Sequence, residues 1–194
     1  MSSKYNIRLS ESNTVEITKP NSSVVAYKFS YKQLQKKIVD TVISNRFIVY
    51  ILVGKNSDKR TVLYVGKSKN GLDNRPTAHE TDNIEWEHCY ILTTFSERTF
   101  FNDGVIQYIE NRISKMVSNN QSYINTTKVT NVETITIGDT EDCDEYIEEV
   151  VKMLYVLGLS LFEEKLDIAS DKNKEVPTEI EDVYATFANA LKTD

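Results

Sequence analysis

The sequence predicts a mixed α/β protein of the α+β type, with a small central antiparallel three-stranded sheet flanked by helices. Two short apolar strands, 47–53 and 62–66, are joined by the polar turn GKNSDK, and WEHCYILTT at 86–94 supplies a third strand. The apolar runs are nearly continuous, which indicates a sheet covered on both faces. Helical patterns follow the third strand, and no internal repeat is present.

Residues 1–45 are predicted to form N-terminal strands and a helix. The stretches 5–9, 13–18 and 23–29 alternate apolar and polar residues, which is typical of two or three short antiparallel strands. Ser30 and Gln33 have the spacing of a capping box and predict a helix that runs to about Asn45. Lysines on its polar side suit either a phosphate-contacting face or a solvated surface.

The remaining elements are predicted from apolar spacing after the third strand. Ser96 is expected to cap a helix that ends near Val117 and buries Phe101, Val105, Ile109, Ile113 and Met116. A strand is expected at 129–137, and Asp142 and Glu145 open a further helix that ends near Gly158. The expected organisation is 1–45 as N-terminal elements, 46–138 as a central domain and 139–194 as an acidic helical extension.

Composition indicates an ordinary globular protein of 194 residues, with 40% apolar and 27% charged residues. Two cysteines, Cys89 and Cys143, do not make a disulfide framework, and no Cys/His spacing indicates zinc. The start, MSSKYNIRLS, lacks an apolar signal region, and no apolar run approaches about 18 residues. The expected location is therefore the cytoplasm, with no membrane partner.

Charge is distributed unevenly along the chain, whose net charge is −6. Residues 1–138 hold 18 Lys+Arg against 13 Asp+Glu, whereas residues 139–194 hold 5 against 16. The asymmetry is more informative than the total, because a mildly basic body is compatible with a nucleic-acid partner. The acidic tail fits a solvated helix surface as well as an autoinhibitory or DNA-mimicking segment.

Glu110 is a candidate functional carboxylate. Helical geometry places it beside Ile106 and Val117, at the edge of the apolar stripe rather than on the solvent side. A partly buried carboxylate requires a partner or a cation. An ordinary ion pair with Lys or Arg would also meet that requirement.

Arg75 and His79 are four residues apart, so on a helical turn they share one face. Two donors on one face suit a phosphate, and arginine adds planar bidentate recognition. A plain surface turn explains the spacing equally well. By propensity alone, Tyr50 and Tyr64 are ordinary strand aromatics.

The order of these residues resembles the GIY-YIG nuclease family, which includes homing endonucleases, some restriction enzymes and a bacterial excision-repair nuclease. Tyr64-Val65-Gly66 closely matches the YIG triplet, and Ile48-Val49-Tyr50 matches GIY at its tyrosine. The family's arginine, its His/Tyr position, its metal-binding glutamate and a frequent asparagine fall on Arg75, His79, Glu110 and Asn125. The resemblance covers about residues 46–125, and the longer pattern is similar to a group of bacterial GIY-YIG proteins.

The resemblance implies a metal-dependent DNA endonuclease. Glu110 would hold one divalent cation, Mg²⁺ or Mn²⁺, and Arg75 would clamp the phosphate oxygens. Tyr50 is the candidate general base once its pKa is lowered, with His79 or Tyr64 as alternatives for the proton transfer.

Three further residues receive substrate-binding roles from the same resemblance. Gly66 would allow the scissile phosphate to approach the strand end closely. Lys67 would either lower the pKa of the Tyr50 phenol or contact a phosphate. Asn125 is the third residue expected to bind substrate.

Two other functions stay open at this stage. The first is a nucleic-acid-binding module with the same fold and weak or no catalysis, which Ile48 at the family's glycine position favours. The second is a protein–protein adaptor that uses the acidic tail. DNA is expected more than RNA, and the N-terminal 45 residues could dock DNA, cover the sheet or form a homodimer.

Overall fold

The structure is a computed structural model that describes residues 4–10, 14–35, 43–72, 83–95, 101–128 and 137–161. These residues all belong to one compact unit, Met1–Glu163. Their strands are β1 (Asn6–Leu9), β2 (Val15–Thr18), β3 (Val24–Ser30), β4 (Ile48–Asn56), β5 (Thr61–Ser68), β6 (Ile84–Thr94) and β7 (Ile124–Asn125). Their helices are α1 (Tyr31–Gln35), α2 (Asp103–Asn119) and α3 (Ile137–Val156).

The described strands form one seven-stranded sheet in the order β1-β2-β3-β6-β4-β5-β7. Each neighbouring pair is antiparallel except β5 and β7, which are parallel. The fold is therefore α+β, as predicted, and the three predicted central strands do lie side by side as β6-β4-β5. The prediction of a three-stranded sheet is wrong, because four more strands extend it.

The additional strands satisfy the free edges of the central three. β3 pairs with β6 over seven residues, from Val24 opposite Thr94 to Ser30 opposite His88. Without that partner, the outer hydrogen-bonding groups of the buried β6 would be unpaired, at a cost in free energy. The strands on both sides of the predicted boundary at residue 45 therefore belong to one sheet.

The central strands are buried on both faces, as their nearly continuous apolar runs predict. One face, here called the tyrosine face, carries Tyr27, Phe29, Ile48, Tyr50, Leu52, Cys89 and Ile91, which pack with Tyr31 and Leu34 of α1 and with Leu72. The opposite face, here called the two-helix face, packs against α2 and α3. The sheet thus forms the middle layer of the described structure.

Hydrogen bonds at the helix starts confirm one predicted cap and replace another. The Ser30 backbone N–H donates to Gln33 Oε1 at 2.7 Å, which is half of the predicted capping box. Ser96, the predicted cap of the next helix, lies outside the described residues. Helix α2 is capped instead by Asn102, whose side chain accepts a hydrogen bond from the Val105 N–H at 3.0 Å.

Helix α3 begins earlier than expected. Ile137, predicted as the end of a strand, is its first residue, while 129–136 lie outside the described residues. The helix ends before Gly158, whose positive φ of 86° suits the predicted C-terminal glycine. The terminal helix predicted at 179–191 also lies outside the described residues.

A charged cluster fixes the N-terminal strands to α3. The Tyr5 hydroxyl donates to Glu149 Oε1 at 2.7 Å, and the Lys19 ammonium donates to Glu149 Oε2. Burial opposes the ionised form of Glu149, but these two hydrogen bonds and the charge of Lys19 outweigh it and hold the pKa below its usual value. Glu149 therefore stabilises the fold as a carboxylate.

Replacing Glu149 by Gln should reduce the free energy of unfolding at neutral pH by about 1.5–3 kcal/mol, because hydrogen bonds to a charged acceptor are lost. A lowered folded-state pKa gives stability that is present above the unfolded pKa and lost as the pH falls through the folded value. The difference from wild type should therefore shrink in acid. Urea unfolding followed by fluorescence of Trp86, the chain's one tryptophan, measures it. Exposed Glu148→Gln is the matched control, and a pH-independent difference would contradict the assignment.

Candidate active site at the edge of the tyrosine hairpin

The tyrosine hairpin, β4 with β5, brings its two named tyrosines together on the tyrosine face. Tyr50 lies opposite Gly66, and Tyr64 lies opposite Leu52. Directly opposed residues share a face of the sheet. The two ring centroids are 6.1 Å apart with a 33° angle between the ring planes, and the two side chains share a hydrogen bond.

Gly66 is required by the close approach of the Tyr50 ring. A Cβ at position 66 would overlap the Cζ and hydroxyl of Tyr50 and would lie 2.8 Å from Cε1 of Tyr64. The ring of Tyr50 therefore crosses from β4 over β5 at the one position that has no side chain. Gly66 was expected to make room for a phosphate, but in the structure the approaching group is Tyr50.

Tyr50 and Tyr64 differ in their access to solvent. Tyr50 is 2% exposed, whereas Tyr64 is half-buried. Burial raises the pKa of Tyr50 well above its usual range, and Tyr64, Cys89 and the charge of Glu110 raise it further. A neutral, enclosed phenol is a hydrogen-bond donor, so these surroundings oppose the predicted role of Tyr50 as general base.

Glu110 lies on α2, within electrostatic range of the tyrosine hairpin. Glu110 is half-buried, as its predicted position at the edge of the helix's apolar stripe implies, and its neighbours in sequence, Ile109 and Asn111, are buried. Its charge contributes to the raised pKa of Tyr50, so the carboxylate is within electrostatic range of that phenol. Beside β5, β7 pairs at Val62 and Leu63, and the residue Thr127 that follows it accepts a hydrogen bond from the Val65 N–H.

Lys67 does not face the two phenols. Successive residues of a strand point to opposite faces, so Lys67 lies on the two-helix face while Gly66 lies on the tyrosine face. Its ammonium contacts Asp103 Oδ1 and Gln107 Oε1 of α2, each at 3.2 Å. The predicted lowering of the Tyr50 pKa by Lys67 is therefore not supported.

Lys69 joins the same contact at Asp103, its ammonium lying 2.7 Å from Oδ2. The hydrogen bonds and charges of the two lysines hold the pKa of Asp103 below its usual value, with Lys69 contributing most and partial burial opposing. Asp103 is therefore an ionised partner for both lysines. A phosphate that bound either lysine would compete with this carboxylate.

Asn125 is turned into the protein. Its amide nitrogen donates to the Ser114 carbonyl oxygen at 2.8 Å and to the Ser118 hydroxyl at 2.8 Å. Its amide oxygen accepts from the Thr127 N–H at 2.9 Å. Both ends of the amide are used within the fold, so the structure gives Asn125 no free group for the predicted substrate contact.

Arg75 and His79 lie outside the described residues. The described chain stops at Leu72, which packs in the same cluster as Tyr50 on the tyrosine face. Just before it, Gly71 has a positive φ of 71° and donates its N–H to the Arg46 carbonyl oxygen at 2.7 Å. The last described residue before Arg75 therefore lies on the side of the sheet where the two tyrosines lie.

The structure adds partners that the sequence did not reveal. Asp103 and Gln107 bind Lys67, Cys89 lies under Tyr50, and Ser114 and Thr127 hold Asn125. A possible signal for the last pair was the short polar run NTT directly after Ile124, which is too brief to show a strand period. Within the described residues, no group of three His, Cys, Asp or Glu side chains could hold a metal ion, and no helix is long and apolar enough to cross a membrane.

We expect Gly66→Ala to destabilise the protein by about 1–3 kcal/mol, since the added methyl group displaces the Tyr50 ring. In a Tyr50→Leu background, the same substitution should cost much less, because the clashing ring is gone. A double-mutant cycle from urea unfolding measures this coupling. Equal costs in both backgrounds would show that Gly66 is needed for another reason.

Comparison with known proteins gave no assignment for the chain. No protein-family model, curated protein or solved structure matches it. The functional interpretation therefore depends on the motif residues and on the geometry of the tyrosine hairpin.

Proposed function

We propose that this chain is a metal-dependent endonuclease that hydrolyses phosphodiester bonds in DNA by a one-metal mechanism of the GIY-YIG type. The supporting observation is the seating of Tyr50 over Gly66, which joins two phenols at the β5 edge within electrostatic range of Glu110. Gly66 of the triplet Tyr64-Val65-Gly66 makes room for Tyr50 of the triplet Ile48-Val49-Tyr50, so the two motif triplets pack against each other directly.

Ile48, which stands at the family's GIY glycine position, does not weigh against this proposal. It is fully buried and packs in the cluster of the tyrosine face. Its partner across the hairpin is Ser68. This pair is the next one on the same face of the sheet after the pair of Tyr50 and Gly66. The larger side chain is therefore accommodated within the core, and Tyr50 still reaches its place over Gly66.

The donor set fits one hard divalent cation. Glu110 offers a half-buried carboxylate within electrostatic range of the Tyr50 phenol, and Mg²⁺ typically binds one or two protein carboxylates while it keeps several waters. Such an ion, when bound, supplies positive charge to the phosphate and its leaving oxygen. The carboxylate of Glu110 would hold it.

The remaining tasks fall to the chain's own side chains. Arg75 clamps the non-bridging oxygens as negative charge grows on them. Tyr64, the more accessible phenol, is better placed than Tyr50 to take the proton of the attacking water, and His79 is the alternative acceptor. Tyr50 holds Tyr64 through their hydrogen bond. The Tyr64 phenolate takes a proton from the water as the water oxygen bonds to phosphorus and the bond to the 3′ oxygen breaks. A proton returned through solvent then neutralises the departing 3′ oxygen, which leaves 5′-phosphate and 3′-hydroxyl ends.

Purified protein should nick plasmid DNA with Mg²⁺ or Mn²⁺ and should stop when EDTA is added. Glu110→Gln and Arg75→Ala should each abolish detectable cleavage without changing the unfolding curve, because the cation and the phosphate clamp are lost. Glu148→Gln, an exposed glutamate on α3, is the control for Glu110→Gln. Unimpaired cutting by Glu110→Gln would contradict the metal assignment. Salt-dependent DNA affinity with no turnover would instead favour a binding module.

Changing each tyrosine to phenylalanine should distinguish the roles of Tyr50 and Tyr64. Tyr64→Phe should lower kcat by about 10²–10⁴-fold, the usual contribution of a general base. Tyr50→Phe should lower kcat less and should also lower stability, because a buried hydrogen bond is removed. Single-turnover cleavage and urea unfolding measure the two effects. A larger kcat loss for Tyr50→Phe than for Tyr64→Phe would reverse the two roles.

A further inference from the structure

The segment after β7 holds the backbone on both sides of Tyr64. The Thr126 N–H donates to the Leu63 carbonyl oxygen at 3.0 Å. The Val65 N–H donates to Thr127 Oγ1 at 2.7 Å. Leu63 and Val65 flank Tyr64 in β5, so two residues of this segment hold the backbone of the strand on either side of the accessible phenol.

The same segment also holds helix α2 through one side chain. The Asn125 amide nitrogen lies 2.8 Å from the Ser114 carbonyl oxygen, 2.9 Å from Ser114 Oγ and 2.8 Å from Ser118 Oγ, and its two N–H groups serve these three acceptors, with one N–H shared between two of them. The Ser114 carbonyl oxygen can only accept a hydrogen bond and the Thr127 N–H can only donate one. These two partners therefore fix which end of the Asn125 side-chain amide is the nitrogen and which is the oxygen. Asn125 therefore connects α2 to the edge of β5 through a defined set of hydrogen bonds.

Ser114 lies one helical turn after Glu110. Residues four apart are neighbours on a helix surface, so fixing Ser114 also fixes the rotation and the axial position of the turn that bears Glu110. Ser114 is fully buried, which leaves this contact little freedom to shift. One asparagine thus couples the position of the carboxylate to that of the phenol.

We propose that Asn125 is a positioning residue that keeps Glu110 and Tyr64 in register, and that it does not bind substrate. The assignment of a catalytic purpose rests on the proposed nuclease function, whereas the mechanical coupling of helix to strand does not. The coupling explains why a two-residue strand is present at the sheet edge: it places the asparagine where α2 and β5 are both within reach.

The test compares Asn125→Ala with Asn119→Ala, an exposed asparagine at the end of α2. Three properties are measured for each variant: DNA affinity with Ca²⁺ in place of Mg²⁺, kcat for plasmid cleavage, and the NMR signal of ring-¹³C-labelled Tyr64, identified by its absence in Tyr64→Phe. For Asn125→Ala, we expect unchanged affinity, a loss in kcat on the order of 10²-fold and a shifted Tyr64 signal, since small misplacements of reacting groups are costly. Asn119→Ala should match wild type in all three.

Two results would overturn the inference. The first is weaker DNA binding by Asn125→Ala with kcat unchanged, which is the behaviour of a substrate ligand. The second is a Tyr64 signal that does not respond to Asn125→Ala. If wild-type protein cleaves no DNA, the proposed function fails, and the Tyr64 signal still decides whether Asn125 positions that tyrosine.

Discussion

The candidate site depends on one steric relationship, the Tyr50 ring lying over the Cα atom of Gly66. A tyrosine in β4 would ordinarily pack against the side chain opposite it, and its hydroxyl would stay above the middle of the sheet. Because position 66 has no side chain, the phenol extends over the edge strand and meets Tyr64 there. Tyr50 is nevertheless almost fully buried, so the arrangement is held by the core as well as by the hydrogen bond between the phenols.

The candidate carboxylate, Glu110, belongs to a helix on the other face of the sheet. Helix α2 packs on the two-helix face, where Asp103 and Gln107 bind Lys67 and where Ser114 and Ser118 bind Asn125. These polar contacts lie along one side of the helix and run beside β5, with Glu110 between them in the sequence. The phenols thus lie on one face of the sheet and the helix that bears Glu110 packs on the other, while the charge of Glu110 is felt at Tyr50.

Local chemistry in the sequence predicted the local structure well. The hairpin, the Ser30–Gln33 cap, the half-buried position of Glu110 and the end of α3 before Gly158 each depend on residues close together in the chain. The seven-stranded sheet could not be predicted in the same way, because the pairing of β3 with β6 joins residues that are 58 (Ser30 and His88) to 70 (Val24 and Thr94) positions apart. An alternating pattern shows that a strand has a buried side but does not identify its neighbour.

The same limit applies to the site. Tyr64-Val65-Gly66 and Glu110 could be selected from the sequence, but the roles given to their neighbours depended on distances that the sequence does not contain. Lys67 was expected either to lower the phenol pKa or to contact a phosphate, and it lies on the face opposite the phenols, bound to α2. Asn125 was assigned to substrate and holds α2 instead.

The central claim is that Glu110 holds a single divalent cation beside the two phenols. A crystal of the protein soaked in Mn²⁺ and measured by anomalous scattering tests this claim without requiring substrate or turnover. One anomalous peak bonded to the Glu110 carboxylate, at the β5 edge beside Tyr64, is the predicted result. Full occupancy of Mn²⁺ at other carboxylates with no peak at Glu110 would contradict it.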